Sequence, residues 1–168
     1  RLALIAKAEG IKIEPSAIQL IAQSGNGAAR DAESNFTKLI SFVGKEISVT
    51  DVQEVLGLIP FHFVADFASL LAYKKKSEAL DYINKAYESG IEPDQFLKAV
   101  TEHFRMLLIF KFSPGALSAY QDDYLSEQVQ AMQNQAALFE PIQLQKALKI
   151  FLKAAQHQKS TPIPPLPL

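Results

Sequence analysis

Gly25-Asn26-Gly27-Ala28-Ala29-Arg30-Asp31-Ala32-Glu33-Ser34-Asn35-Phe36-Thr37-Lys38-Leu39-Ile40 is the stretch from which the fold can be read. Glycine tolerates positive φ and a close backbone approach, so Gly-x-Gly before an alanine-rich run marks one helix ending and another beginning. Arg30 then falls in the first turn of the new helix. A cation there opposes the helix dipole, whose positive end favours Asp or Glu, and Asp31 only partly offsets the cost. Two readings follow. Arg30 pairs with Asp31 or with a carboxylate of a neighbouring helix, as surface arginines commonly do, or its guanidinium is placed to meet an anion outside the helix.

On either side of this stretch the chain reads as helix. Leu2, Leu4, Ile5 and Ala8 give a short apolar face that Gly10 ends, and Ile11-Lys12-Ile13 is an extended connector. Glu14-Pro15-Ser16 starts a second helix, with Ile18, Leu20, Ile21 and Ala22 on its apolar side. The third helix runs from Ala28 to Val43, with Phe36, Leu39, Ile40 and Val43 at helical spacing and Gly44 as its stop. Ile47-Ser48-Val49 alternates briefly, and Thr50 with Gln53 forms a capping box for a helix through Leu56 that Gly57 closes.

Pro60 marks a boundary, because the residue before proline avoids α geometry. Beyond it the helices lengthen. Phe63, Val64, Phe67, Leu70 and Leu71 form one stripe, and Lys74-Lys75-Lys76 follows at its C-terminal end as a solvated, dipole-matched run or a phosphate patch. Ser77 caps a helix carrying Ala79, Leu80, Ile83, Ala86 and Tyr87, which Ser89-Gly90 stops. Glu92-Pro93-Asp94 opens the most hydrophobic helix, with Phe96, Leu97, Val100, Phe104, Leu107, Leu108 and Phe112, and its composition places it at the centre of a core. His103 and Arg105 interrupt that stripe as side chains satisfied at the core's edge.

After Ser113-Pro114-Gly115, Ala116 to Tyr124 is irregular or weakly helical. A Gln-rich helix from Leu125 to Phe139 has a thin seam of Val129, Met132 and Ala136 and should lie on a surface. Glu140-Pro141 starts the last helix, where Leu144, Ala147, Leu148, Phe151, Leu152 and Ala155 oppose Lys146, Lys149 and Lys153. The prolines of Thr161 to Leu168 exclude helix there.

The fold class is therefore all-α: a small three- or four-helix bundle over residues 1–57, then a larger domain of five to six helices over 58–168. Composition narrows the function. Hydrophobic content of 48% against 21% charged residues in 168 residues suits a packed domain, and a net charge of −1 gives no general attraction to nucleic acid. Cysteine is absent, which excludes disulfides, thiolate metal sites and cysteine nucleophiles and suits the cytoplasm. His62, His103 and His157 lack metal-ligand spacing, so no metal site and no catalytic residue is expected. No run of about 18 apolar residues and no signal peptide point to a membrane. The chain begins with Arg1 and not Met, which reads as a piece of a longer protein.

Gly27-Ala28-Ala29-Arg30-Asp31-Ala32, preceded by Arg1-Leu2, Ile5-Ala6-Lys7-Ala8-Glu9-Gly10-Ile11 and Ala17-Ile18-Gln19-Leu20-Ile21-Ala22, resembles the lid of the bacterial DNA polymerase III gamma/tau subunit. The resemblance continues in order through Ala79-Leu80, Gly90-Ile91-Glu92-Pro93, Phe96-Leu97, Phe104-Arg105-Met106-Leu107-Leu108, Ser113-Pro114 and Pro162 to Leu168, and so covers nearly the whole chain. It implies an AAA+ lid over 1–57 and a collar, or oligomerisation, domain over 58–168. In that family the arginine of Gly-Ser-x-Arg-Asp-Ala is the sensor 2 residue, which reaches the γ-phosphate of ATP on a preceding AAA+ domain. Matched residue by residue, the sensor is Arg30 and Ala29 borders the nucleotide. Ala28 stands where the family has serine, and Glu33 to Lys38 is more polar than the family's continuation.

What the resemblance implies is the motor subunit of a clamp loader, the assembly that places the sliding clamp on DNA. Its partners are other loader subunits through the collar, and the sliding clamp and primer-template DNA through the full complex. ATP and Mg belong to the parent protein, an ATPase subunit of the replicase. No Gly-x-x-x-x-Gly-Lys-Ser/Thr occurs here, so these residues alone hold no cofactor and should not hydrolyse ATP. Two other classes compete. A helical scaffold binding partner helices lacks a fixed repeat period, and a metabolic enzyme lacks a phosphate loop, an activated nucleophile or clustered carboxylates.

Overall fold

A computed structural model describes residues 1–25, 27–113, 115 and 124–158. The chain divides into two compact units, one over Arg1–Leu58 with the short segment ending at Leu125, the other starting at Ile59 and taking in Ser126 onward. Among the described residues there are nine helices and one two-stranded ribbon, which makes the fold all-α. The readings of 116–123 and of the proline-rich end lie outside the described residues.

The first unit holds α1 (Leu2–Ala8), α2 (Pro15–Ser24), α3 (Ala29–Val43) and α4 (Val49–Leu56). Its core is Leu2, Ala6, Ala17, Ile21, Ala32, Phe36, Leu39, Ile47 and Val52, every one buried. Leu4 is 72% exposed and Ala8 is exposed, so the inward face of α1 is the i, i+4 pair Leu2 and Ala6, with Ile5 packed beside it. The extended connector is strand β1 (Lys12–Ile13), which pairs in parallel with β2 (Glu46–Ile47), Lys12 opposite Glu46 and Ile13 opposite Ile47.

The capping box lies two residues earlier than the sequence suggested. Ser48 Oγ accepts from the Asp51 amide at 3.2 Å, the Asp51 carboxylate accepts from the Ser48 amide at 2.8 Å, and α4 begins at Val49. Thr50 and Gln53 carry the same pattern, but Ile47 is held in the ribbon, and the next free polar residue becomes the cap.

The second unit holds α5 (Phe61–Ala72), α6 (Lys76–Glu88), α7 (Pro93–Phe112), α8 (Ser126–Ala137) and α9 (Pro141–Gln158). Helix α7 packs against α5, α8 and α9, the central place its hydrophobicity implied. It buries Phe96, Val100, His103, Phe104, Met106, Leu107 and Phe110, whereas Phe112 is 61% exposed in its last turn. Phe104 sits between Phe139 and Phe151 in edge-on contacts, with ring centroids 5.6 and 5.1 Å away. Ser77 is not a cap: Lys74 turns at φ 56°, Lys75 precedes the helix, and α6 starts at Lys76. Lys75 instead pairs with Glu78 at 2.9 Å. Leu80 and Leu152 are 44% and 49% exposed, outside the stripes to which spacing assigned them.

Helix α8 buries Val129, Met132 and Ala136 against α7, so its thin seam is a full packing face with a polar outer side. Between them lies Gln135, also buried. Its amide nitrogen donates to Ala65 O and Ser69 Oγ, each at 2.7 Å, and its oxygen lies 2.5 Å from His103 Nε2. Helices α5, α7 and α8 are thus joined by a polar cluster inside an apolar core.

Candidate functional site at the start of helix α3

Arg30 lies in the first turn of α3, after Ala28, which takes the N-cap position in extended geometry and supplies no side-chain acceptor. Two glycines build this turn by different means. Gly27 has φ +83°, the left-handed region that a side chain disfavours. Gly25 has ordinary φ but no room: a Cβ there would lie 2.9 Å from Ala28 O and from Ala32 N and Cβ. The end of α2 is therefore pressed against the first turn of α3, and the Ala28 amide donates to Gly25 O at 2.8 Å.

The polar run after Arg30 stays helical through Val43. Phe36 points inward at 2% exposure, while the hydroxyls of Ser34, Thr37 and Ser41 donate to carbonyls four residues back. Asn35 Nδ2 donates to Ser24 Oγ at 2.9 Å, which ties α3 to α2, and Lys38 Nζ donates to Val55 O at 3.1 Å, which ties it to the last turn of α4. These contacts, with Ala32, Phe36 and Leu39 in the core, fix the direction in which the first turn points.

Arg30 and Ala29 are both exposed, and Arg30 forms no ion pair with a described residue. Glu33, three residues further along the helix, is held by Arg1, whose Nε lies 2.6 Å from its Oε1. That contact lacks hydrogen-bond alignment and is a charge contact only. Of the two readings of Arg30, pairing with Asp31 or a neighbouring helix is thus absent among the described residues. A guanidinium presents five donors in a rigid fork suited to phosphate oxygens, and helix-start amides add to the attraction.

The remaining titratable residues gather no chemistry of their own. His103 is buried in the polar cluster, and burial lowers its pKa, partly countered by the bond to Gln135. Arg105 pairs with Glu102 one turn back on α7. Burial, with the nearby Asp66 charge, pushes Tyr82 up to about 12, and its hydroxyl donates to Phe63 O. Among the described residues no three His, Asp or Glu side chains gather as a metal site, and no single helix is long and apolar enough to cross a membrane. The signal for the buried Gln135 was available only in part, since a lone Gln in a polar helix does not announce its burial.

Comparison with known proteins covers most of the chain. The family described as DNA polymerase III subunits gamma and tau domain III matches residues 47–166, and the ATPase lid domain of the DNA polymerase III clamp loader subunit matches residues 1–36. The DNA polymerase III subunit tau of Bacillus subtilis is 27% identical over 147 residues, 86% of this chain and 26% of that protein. Protein STICHEL-like 4 of Arabidopsis thaliana is 36% identical over 92 residues, 55% of this chain and 9% of that protein. The chain thus spans about a quarter of the length of the Bacillus relative. Among solved structures, the Bacillus subtilis DNA clamp loader delta protein superposes with a TM-score of 0.54 at 19% identity, covering 94% of this chain and 49% of that one, a likeness of fold. With 120 of its 168 residues inside the domain III match and the lid match at its start, the chain belongs to the DNA polymerase III gamma and tau subunit family.

Proposed function

We propose that these residues are the lid and collar of a clamp-loader motor subunit of the bacterial replicase, working in the cytoplasm. Residues 1–57 act as the lid and 58–168 as the collar. The observation that carries the reading is the exposed guanidinium of Arg30 at the start of α3, within the lid match and without an ion-pair partner among the described residues. Arg30 is the nucleotide-sensing residue, offering its fork to the γ-phosphate of ATP held, with Mg, by an ATPase domain outside this chain; Ala29 borders the same nucleotide. Preorganised positive charge near transferring phosphoryl oxygens is the physical basis of such a role.

The rest of the unit gives the sensor its leverage. Because α3 is locked to α2 by the Gly25 contact and by Asn35–Ser24, and to α4 by Lys38–Val55, a pull on the guanidinium moves the helices together. Nucleotide state is thereby converted into lid angle. The second unit assembles with other loader subunits, and through the full complex the protein meets the sliding clamp and primer-template DNA.

The test uses the full-length protein with Arg30→Ala. The expected result is reduced ATP-dependent clamp loading with thermal unfolding unchanged, since an exposed side chain contributes little to stability. Unchanged loading together with unchanged nucleotide affinity would overturn the assignment.

A further inference from the structure

The second unit carries a groove that its described residues leave unfilled. Phe104 and Phe139 form the floor, Leu71 of α5 one wall, and Ala147, Ile150 and Phe151 of α9 the other; the space is about 380 Å³. Lys146 stands at its edge. Ile150 is 66% exposed and, about two turns before it, Ile142 is 55% exposed, so the apolar surface runs out of the groove along α9. Exposed aliphatic side chains continuous with an apolar groove mark a surface that something covers.

Charge says what kind of partner fits. Helix α9 carries Lys146, Lys149 and Lys153 and no Asp or Glu. The three lie at i, i+3 and i+7, on one face, where like charges oppose one another. Arg1, Lys12, Lys75 and Arg105 all have carboxylate partners, whereas none of these three lysines pairs with a described residue. On the other side, Lys74 and the rest of the lysine run begin three residues after Leu71 and are exposed. An apolar slot with Lys146 at its edge, and Lys149 and Lys153 following on the same helix without a described carboxylate partner, is complementary to a segment that alternates apolar anchors with carboxylates.

We infer that this groove docks an acidic amphipathic helix of a partner protein, its apolar anchors seated between Leu71 and the wall of Ala147 and Ile150, and its carboxylates meeting Lys146, Lys149 and Lys153. Helix-in-groove recognition uses anchors at i, i+3, i+4 and i+7, which set the apolar row, while the rim charges select orientation and speed association. The inference does not depend on nucleotide sensing, and its test contains no nucleotide or ATPase domain.

The probe is a displayed library of random helical peptides selected on the 168-residue chain, with binding of recovered peptides measured by fluorescence anisotropy. Recovered binders should be rich in Asp and Glu between apolar anchors. Lys146→Glu with Lys149→Glu should weaken them roughly tenfold, as expected when two rim contacts are reversed, and Ile150→Asp should abolish binding. These positions are exposed, so an unchanged circular dichroism spectrum checks that the variants fold. Recovery of no binders, of basic or uncharged ones, or of binders indifferent to Ile150→Asp overturns the proposal. So does tighter binding of a mixed-sequence DNA duplex to the lysine row, or self-association of the chain in sedimentation that Ile150→Asp removes, which would assign the groove to nucleic acid or to a second copy.

Discussion

Truncating Gln135 to alanine should remove about 2–4 kcal/mol from the stability of the second unit. The side chain is 7% exposed and makes three contacts: with Ala65 O, Ser69 Oγ and His103 Nε2. Both hydrogens of its amide nitrogen are used by the first two, so its oxygen must accept from His103, which assigns the proton to Nε2 of the ring. After truncation Ser69 still donates to Ala65 O at 3.0 Å, so that pair survives. The His103 N–H does not, and a buried orphan donor costs roughly 1–3 kcal/mol. The vacated side-chain volume adds on the order of 1 kcal/mol. Urea unfolding of the 168-residue chain, followed by circular dichroism, reads the sum as a lower midpoint at constant slope. A loss under about 1 kcal/mol would refute the claim that the cluster is buried and fully bonded.

The same cluster sets a pH dependence. Burial lowers the folded pKa of His103 below its ordinary 6.5, so below that value the unfolded chain binds the proton more readily. Stability is therefore full above pH 6.5 and falls as acid is added, by at most about 1.4 kcal/mol per pH unit until the folded value is reached. His103→Leu should flatten that part of the profile, and an unchanged slope between pH 6.5 and 5.5 would refute it.

Three further outcomes can be measured on the same chain. Phe104→Ala, at a fully buried ring packed edge-on against Phe139 and Phe151, should cost about 3–5 kcal/mol in urea unfolding. Gly25→Ala should destabilise the first unit by about 1–3 kcal/mol, because the new Cβ meets backbone at 2.9 Å and α3 must shift; in the full-length protein it should impair clamp loading without touching Arg30. Ser48→Ala should remove a cap contribution of about 1 kcal/mol. Separately, the Ser48 hydroxyl and amide hold the Asp51 carboxyl below its usual 3.8, and NMR titration of Asp51 in the variant should show its pKa rising.

Helix number and order were legible because glycine and proline punctuate the chain at nearly every joint. Pro15 and Pro93 begin helices, Gly44, Gly57 and Gly90 end them, and each acts through its own backbone without help from distant residues. What could not be read depends on partners far away in sequence. Ile13 pairs with Ile47 across the ribbon, and that pairing moved the capping box from Thr50 to Ser48. Leu4 and Leu152 satisfy a helical period yet face outward, because period fixes spacing and leaves the phase of a short stripe to the neighbours. The start of α3 was legible as an oddity, a cation against a dipole. That Glu33 is occupied by Arg1 was not, since nothing in either residue names the other.

The two-residue ribbon has a bearing on how the first unit comes into being. Joining Lys12 to Glu46 and Ile13 to Ile47 ties together points 34 residues apart. Closing a loop of that length costs about 3 kcal/mol of chain entropy, more than four residues of strand can return by themselves. The ribbon therefore closes last, once α2 and α3 have packed and shortened the loop. On the ribosome, β1 has to wait for Ile47 to emerge before its pairing can form.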